Sequence, residues 1–194
     1  MAEFIISLDV EADGPCPGVN SMLQLGAVFY APDGRVLREL CMNIAPIEGA
    51  IQDPKTMAWW AEQEVKQPGL WASMTTNQMS ATSAMVRFAN TVKAVEQETG
   101  AQPLVVAYPA GFDFTFLYYY MCRFAGRSCV GFSSLDIKTL AMALLKSDYH
   151  SAAKKAWPRT WFNPKLRHTH NALDDARGQG HSFFKMLQQL HQGV

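Results

Sequence analysis

The chain opens on Phe4-Ile5-Ile6-Ser7-Leu8-Asp9-Val10-Glu11, an apolar run that ends by alternating hydrophobe and acid. Such a run predicts a buried strand near 3–10. Two further strand-like runs follow, near 23–30 and 36–44, with Pro32-Asp33-Gly34 as the hairpin turn between them. Helical segments come next, a short one near 55–64 and a longer one near 81–98 that Gly100 stops. A strand near 104–108 leads to a helix near 113–125. Ser134-Leu135-Asp136 has the character of a helix cap, for a helix running to about 146. Residues 147–168 are irregular, and a final helix is expected near 171–191.

Three sequential strands, then helices alternating with buried strands, point to an α/β fold: a mixed sheet with helices on both faces. No repeat, low-complexity tract or linker divides the chain, so residues 1–194 are expected to form one domain. Hydrophobic content of 48% against 18% charged residues excludes a disordered chain. Lys and Arg number 17, as do Asp and Glu, so no global field draws in long nucleic acid and any basic surface is local. No run approaches the roughly 20 apolar residues that span a bilayer, so no membrane partner is expected. The chain starts straight into a strand without a charged leader, which argues against a secretion signal. Cys16, Cys41, Cys122 and Cys129 have no C-x-x-C spacing, which argues against cysteine-bound zinc or a redox motif. Reduced thiols and a cytoplasmic location are the expectation. The sequence leaves the oligomeric state open and admits a homodimer.

Chemistry concentrates in three short segments. On a strand, Asp9 and Glu11 project to the same face. Two like charges side by side on a buried strand are costly unless a cation sits between them, and a divalent metal is the usual answer. The second segment, Leu104 to Asp113, reads as a buried strand, a Pro109/Gly111 break, and an acid opening the aromatic-rich helix Phe114-Thr115-Phe116-Leu117. The third, His170-Asn171-Ala172-Leu173-Asp174-Asp175-Ala176-Arg177, sets a histidine five positions before an acid at the start of the last helix.

Together these segments closely resemble the DEDDh branch of the 3′–5′ exonucleases, the group containing RNase T, oligoribonuclease and the proofreading exonucleases. Asp9-Val10-Glu11 matches the first motif, with Gly14 and Leu23-Gln24-Leu25-Gly26 matching the family's later glycine and Ile-Gly strand. Phe112-Asp113 and Phe116-Leu117 match the second, and His170, Ala172, Asp175 and Ala176 the third. The sister branch carries Tyr four residues before the last Asp; that position is Asn171 here. Many members have His-Asn before the second acid, where this chain has Tyr108-Pro109, so nucleotide preference does not carry over. The resemblance implies a ribonuclease H-like sheet and a metal-dependent exonuclease that releases nucleoside 5′-monophosphates from single-stranded RNA or DNA 3′ ends. It also implies Asp9, Glu11, Asp113 and Asp175 as ligands and His170 as the general base.

The residue types suit that chemistry. Phosphodiester hydrolysis needs an activated water, neutralised phosphate charge and a stabilised leaving oxyanion, and two divalent ions supply all three. Hard ions such as Mg²⁺ or Mn²⁺ take carboxylate and water oxygens. Four carboxylates balance two such ions. A histidine, with an ordinary pKa of about 6.5, accepts a proton from the attacking water.

Between Tyr149 and Leu173 lie Lys154, Lys155, Arg159, Lys165 and Arg167, with no acid, and Trp157, Trp161 and Phe162 fall among them. Cations for phosphates and rings for bases suit a single strand; the alternative is a solvated loop whose aromatics anchor it to the body. Trp59 and Trp60 are expected mainly in the core, one of them stacking on a base in the other reading. Tyr118, Tyr119 and Tyr120 are successive on a helix and form no common platform. Asp174 is expected as a solvent-facing or helix-start charge, and Asp136 as a cap. His168 lies two residues from His170 but lacks the family spacing. The alternative from another class is a non-catalytic nucleic-acid-binding module with the same fold, disfavoured because unpaired buried carboxylates would be a costly relic.

Overall fold

The computed structural model describes residues 2–193. Met1 and Val194, the ends of the expected 1–194 unit, lie outside the described residues. Among the described residues five strands form one sheet: β1 (Glu3–Ala12), β2 (Met22–Tyr30), β3 (Val36–Asn43), β4 (Gln102–Ala107) and the two-residue β5 (Leu135–Asp136). Their order is β3-β2-β1-β4-β5, so the strand carrying the first motif is central. It pairs antiparallel with β2 and parallel with β4, which makes the sheet mixed. Among the described residues six α-helices accompany it: α1 (Pro54–Lys66), α2 (Leu70–Thr75), α3 (Ala81–Thr99), α4 (Ala110–Phe124), α5 (Ile137–Leu145) and α6 (Ala172–His191).

The period of two along β1 divides the core. Phe4, Ile6, Leu8 and Val10 pack with Phe29, Phe88 and Phe116 on the α3/α4 face. Ile5 turns to the other face, where Val28, Val106, Phe183 and Met186 pack under α5 and α6. Asp9 and Glu11 keep step with Ile5 and Ser7, so both carboxylates emerge toward α6. Parallel pairing with β4 stops at Ser7 opposite Val106. Beyond it, β1 outruns its neighbour and its polar end is left for other partners.

Three contacts seat the last helix against that end. Ser7 Oγ donates to the Ala176 carbonyl at 2.7 Å, the Ala172 N–H donates to Gln24 Oε1 at 2.8 Å, and Arg177 forks onto Glu39 at 2.7–2.8 Å. Gly26 on β2 is required here: a β-carbon would overlap the Ala172 backbone.

Several boundaries differ from expectation. Helix α4 begins at Ala110 behind Pro109, so Asp113 sits in its first turn instead of opening it. Asp136 caps α5 through the Thr139 N–H, as expected, but Leu135–Asp136 also extends the sheet beside Val106 and Ala107. Helix α2 gave no distinct periodic signal because it is only six residues long. The stretch read as irregular contains two 3-10 turns, Lys154–Ala156 and Arg159–Trp161. All four cysteines are free thiols. Among the described residues no helix is long and apolar enough to cross a membrane.

Candidate active site

Asp9, Glu11 and Asp175 each offer a carboxylate oxygen within 4.8 Å of the others. The first two come from the end of β1 and the third from the first turn of α6. Asp113 reaches in from the first turn of α4, where its Oδ1 accepts the Val10 N–H at 3.0 Å. That N–H is one that the shortened ladder with β4 leaves unused. Asp113 is 2% exposed, and its Oδ2 is buried without any partner.

Such crowding shows in the acidities. Burial, then the fields of Asp113 and Asp175, push Asp9 well above the usual carboxylate range. Glu11 is pushed the same way by burial and by Asp9, Asp175 and Asp113. Asp113 rises to about 8, chiefly from burial, with the Val10 N–H and Lys154 opposing. Groups so destabilised as anions, with one oxygen orphaned, are a donor set for hard cations. The four residues fit a divalent metal.

The segment before α6 is held by Asp175. Its Oδ1 accepts the Thr169 N–H and its Oδ2 the His170 N–H, each at 3.1 Å. Asn171 caps the helix, accepting from Leu173 and Asp174. His170 adopts a left-handed backbone at φ 55°, a conformation that costs an L residue about 1–2 kcal/mol and persists because these contacts fix it. Its ring stands edge-on to Trp59, 5.0 Å between centroids, and 6.3 Å from Trp60. Burial, then His168, lower its pKa, so the imidazole is neutral near pH 7. His168 also enters the site: its Nδ1 lies 2.8 Å from Asp175 Oδ2.

Of the eight residues offered for holding a strand, five are basic, two are buried rings and one is an exposed ring. Lys155, Arg159, Lys165 and Arg167 are exposed. Lys154 stands 4.7 Å above the Tyr108 ring, with its N–H donating to the Tyr108 hydroxyl, and its charge eases Asp9 and Asp113. Trp157 and Trp161 are corrections: both are buried in the core, their indole N–H groups donating to the Ala152 carbonyl and to Gln189 Oε1. They anchor the stretch and cannot stack on bases. The ring left facing solvent is Phe162. Trp60 is core, as expected, its indole bonded to the Ala12 carbonyl, whereas Trp59 is 39% exposed beside His170. Asp174 pairs with Arg177 in the first turn of α6.

The sequence reading missed Gln179. It lies one turn beyond Asp175 on the same face of α6, is 2% exposed, and donates from Nε2 to Asp9 Oδ1 at 2.5 Å. Its Oε1 is buried without a partner. An amide at i+4 from a ligand on a helix is the signal that could have found it.

Comparison with known proteins identifies the family and the fold. The family model described as the 3′–5′ exoribonuclease Rv2179c-like domain matches residues 5–187. The 3′–5′ DNA exonuclease Cap18 of Escherichia coli is 27% identical over 190 residues, covering 97% of this chain and 93% of that protein. The nuclease domain of 3′hExo, described as a DEDDh family member bound to rAMP, superposes with a TM-score of 0.68 at 13% identity, over 97% of this chain and 93% of that one. Escherichia coli exonuclease I in complex with a dT13 oligonucleotide gives 0.62 at 12% identity, over 98% of this chain and 43% of that one. The resemblance drawn from the three motifs therefore holds, and the chain belongs to the family of 3′–5′ exoribonuclease Rv2179c-like domains.

Proposed function

We propose that residues 1–194 act as one catalytic domain that removes nucleotides as 5′-monophosphates from the 3′ ends of single-stranded RNA or DNA, in a cytoplasmic setting that keeps its thiols reduced. The observation that carries the reading is the convergence of Asp9, Glu11, Asp113 and Asp175, three of them with oxygens within 4.8 Å of one another. Asp113 Oδ2, buried and unpartnered, supports it. These four residues would hold two divalent ions, Mg²⁺ or Mn²⁺. When bound, such ions lower the pKa of water and neutralise charge on the phosphate and the leaving oxygen.

The chain's own groups do the rest. Gln179 fixes one oxygen of Asp9, which orients that carboxylate. His170 is neutral and braced edge-on against Trp59, and its ring takes the proton from the attacking water. Lys154, Lys155, Arg159, Lys165 and Arg167 receive the phosphate backbone, with Phe162 and Trp59 as the exposed rings beside them. The Rv2179c-like family is described as exoribonucleases and Cap18 as a DNA exonuclease, so both substrates are kept. Discrimination rests on contacts to the 2′-hydroxyl.

Matched RNA and DNA oligonucleotides labelled at the 5′ end test the proposal, incubated with Mg²⁺, Mn²⁺ or EDTA. A ladder of shortening products that EDTA abolishes and a 3′-phosphate resists is the expected outcome. Cutting of a circular single strand, or turnover in EDTA, would overturn it.

A further inference from the structure

The ligand-bearing side chains around Asp175 are of two kinds. On one side stand Asp9 and Glu11, all oxygen. On the other stand two imidazoles. His168 Nδ1 is 2.8 Å from Asp175 Oδ2, and the rings of His168 and His170 lie 4.3 Å apart. One ligand atom from each of His168, His170 and Asp175 falls within 4.8 Å of the others. On an extended chain residues 168 and 170 would share a side only by alternation; here the left-handed turn at His170 gathers both rings onto one carboxylate.

We propose that His168, His170 and Asp175 form a second, nitrogen-rich metal site, which takes a borderline ion of the zinc class and switches the exonuclease off. Two imidazoles and one carboxylate with a position left for water are a usual tetrahedral zinc donor set. Imidazole selects zinc, cobalt, nickel or copper, whereas Mg²⁺ favours oxygen. The two kinds of ion are thus sorted by donor type, and Asp175 is the residue they share. The site needs no cysteine.

The functional consequence rests on the exonuclease reading above. Occupancy by zinc engages the His170 lone pair that would accept the water proton. It also draws on the Asp175 carboxylate that would complete the oxygen cluster. Both losses fall on the same step, so a single zinc ion arrests hydrolysis even when Mg²⁺ is abundant.

His168 is the residue on which the test turns. Its side chain is 60% exposed, so its removal leaves the core untouched. The first arm uses no nucleic acid: cobalt(II), a visible-absorbing stand-in for zinc, is titrated into metal-free protein with Mg²⁺ in excess. One equivalent should bind with the absorption of a tetrahedral centre. His168→Ala should weaken it at least about tenfold, the effect of even an outer partner's loss at metal sites, while Glu11→Gln and the remote His181→Ala keep it. Equal affinity in wild type and His168→Ala overturns the proposal, as does loss confined to Glu11→Gln, which would place the ion among the carboxylates.

The second arm adds zinc to Mg²⁺-supported hydrolysis. Zinc near stoichiometry should stop the wild type, and His168→Ala should need at least about tenfold more. Equal sensitivity of the two overturns the switch. A wild type inactive in Mg²⁺ alone would sink the exonuclease reading instead and leave the binding result standing.

Discussion

The end of β1 and the stretch from 147 to 168 flank the same site and are built on opposite principles. On β1 the apolar residues are scaffold and the polar ones are exposed to one another. Sheet pairing with β2 fixes where Asp9 and Glu11 point, and the cost is borne as carboxylates pushed far from their ordinary range. In the later stretch no ladder exists. Trp157 and Trp161 hold it from beneath, and its charges face water, where they cost little. Crowded polar groups therefore destabilise one region, while in the other the apolar groups supply the stability and the cations face solvent.

The sharpest way to break that contrast is at Asp113. Asp113→Asn keeps an oxygen for the Val10 N–H but removes a charge and a hard ligand, and should abolish metal-dependent hydrolysis. It should also stabilise the metal-free protein. The sign follows from linkage. A carboxyl whose folded pKa is raised contributes stability that is full below its unfolded pKa and is lost as pH rises through the folded value. For Asp113 that window runs from about 4 to about 8, so in EDTA the wild-type Tm should fall across it and the variant's should fall less. Identical pH profiles for the two would remove the buried-charge account.

His170→Ala comes next, with a loss of about 10²–10⁴-fold in kcat and Mg²⁺ binding retained. His168→Ala in Mg²⁺ alone should cost far less. The reverse order would put the register of the third motif in error and draw Asp175 into doubt with it.

Trp161→Ala probes the other region. Truncating a buried aromatic of this size costs about 3–5 kcal/mol, read as a lower denaturant midpoint, and the stretch should become protease-sensitive. Loss of nucleic-acid affinity at unchanged stability would restore the base-stacking role that its burial argues against.

Among the smallest effects expected is that of Lys165→Ala or Arg167→Ala, a severalfold rise in KM at low salt. Each lost phosphate contact should reduce the slope of log affinity against log salt by about 0.7. A salt slope unchanged in both variants would assign phosphate binding elsewhere.

The sequence made much of this legible, for identifiable reasons. An apolar run that turns to alternation from Ser7 to Glu11 marks a buried strand with a polar end, so it predicted both that strand and the common direction of Asp9 and Glu11. Caps at Gly100 and Asp136 are local chemistry and stand where expected. Fates decided by distant partners were not legible. Trp157 and Trp161 sit among lysines and arginines, which resembles a strand-binding surface, and only packing under α5 and α6 distinguishes an anchor from a platform. Gln179 lies one turn past the last motif, and nothing local announces that it faces a residue 170 positions earlier.

Gly26 has one more consequence, in the life of the chain as it is made. The last helix seats through its bare backbone, and the bond from Ser7 to Ala176 spans 169 positions. Contacts of such separation form only after most of the chain has closed on itself. No partial chain lacking that helix holds a complete set of candidate ligands, so Asp9, Glu11 and Asp175 come together only once α6 has docked.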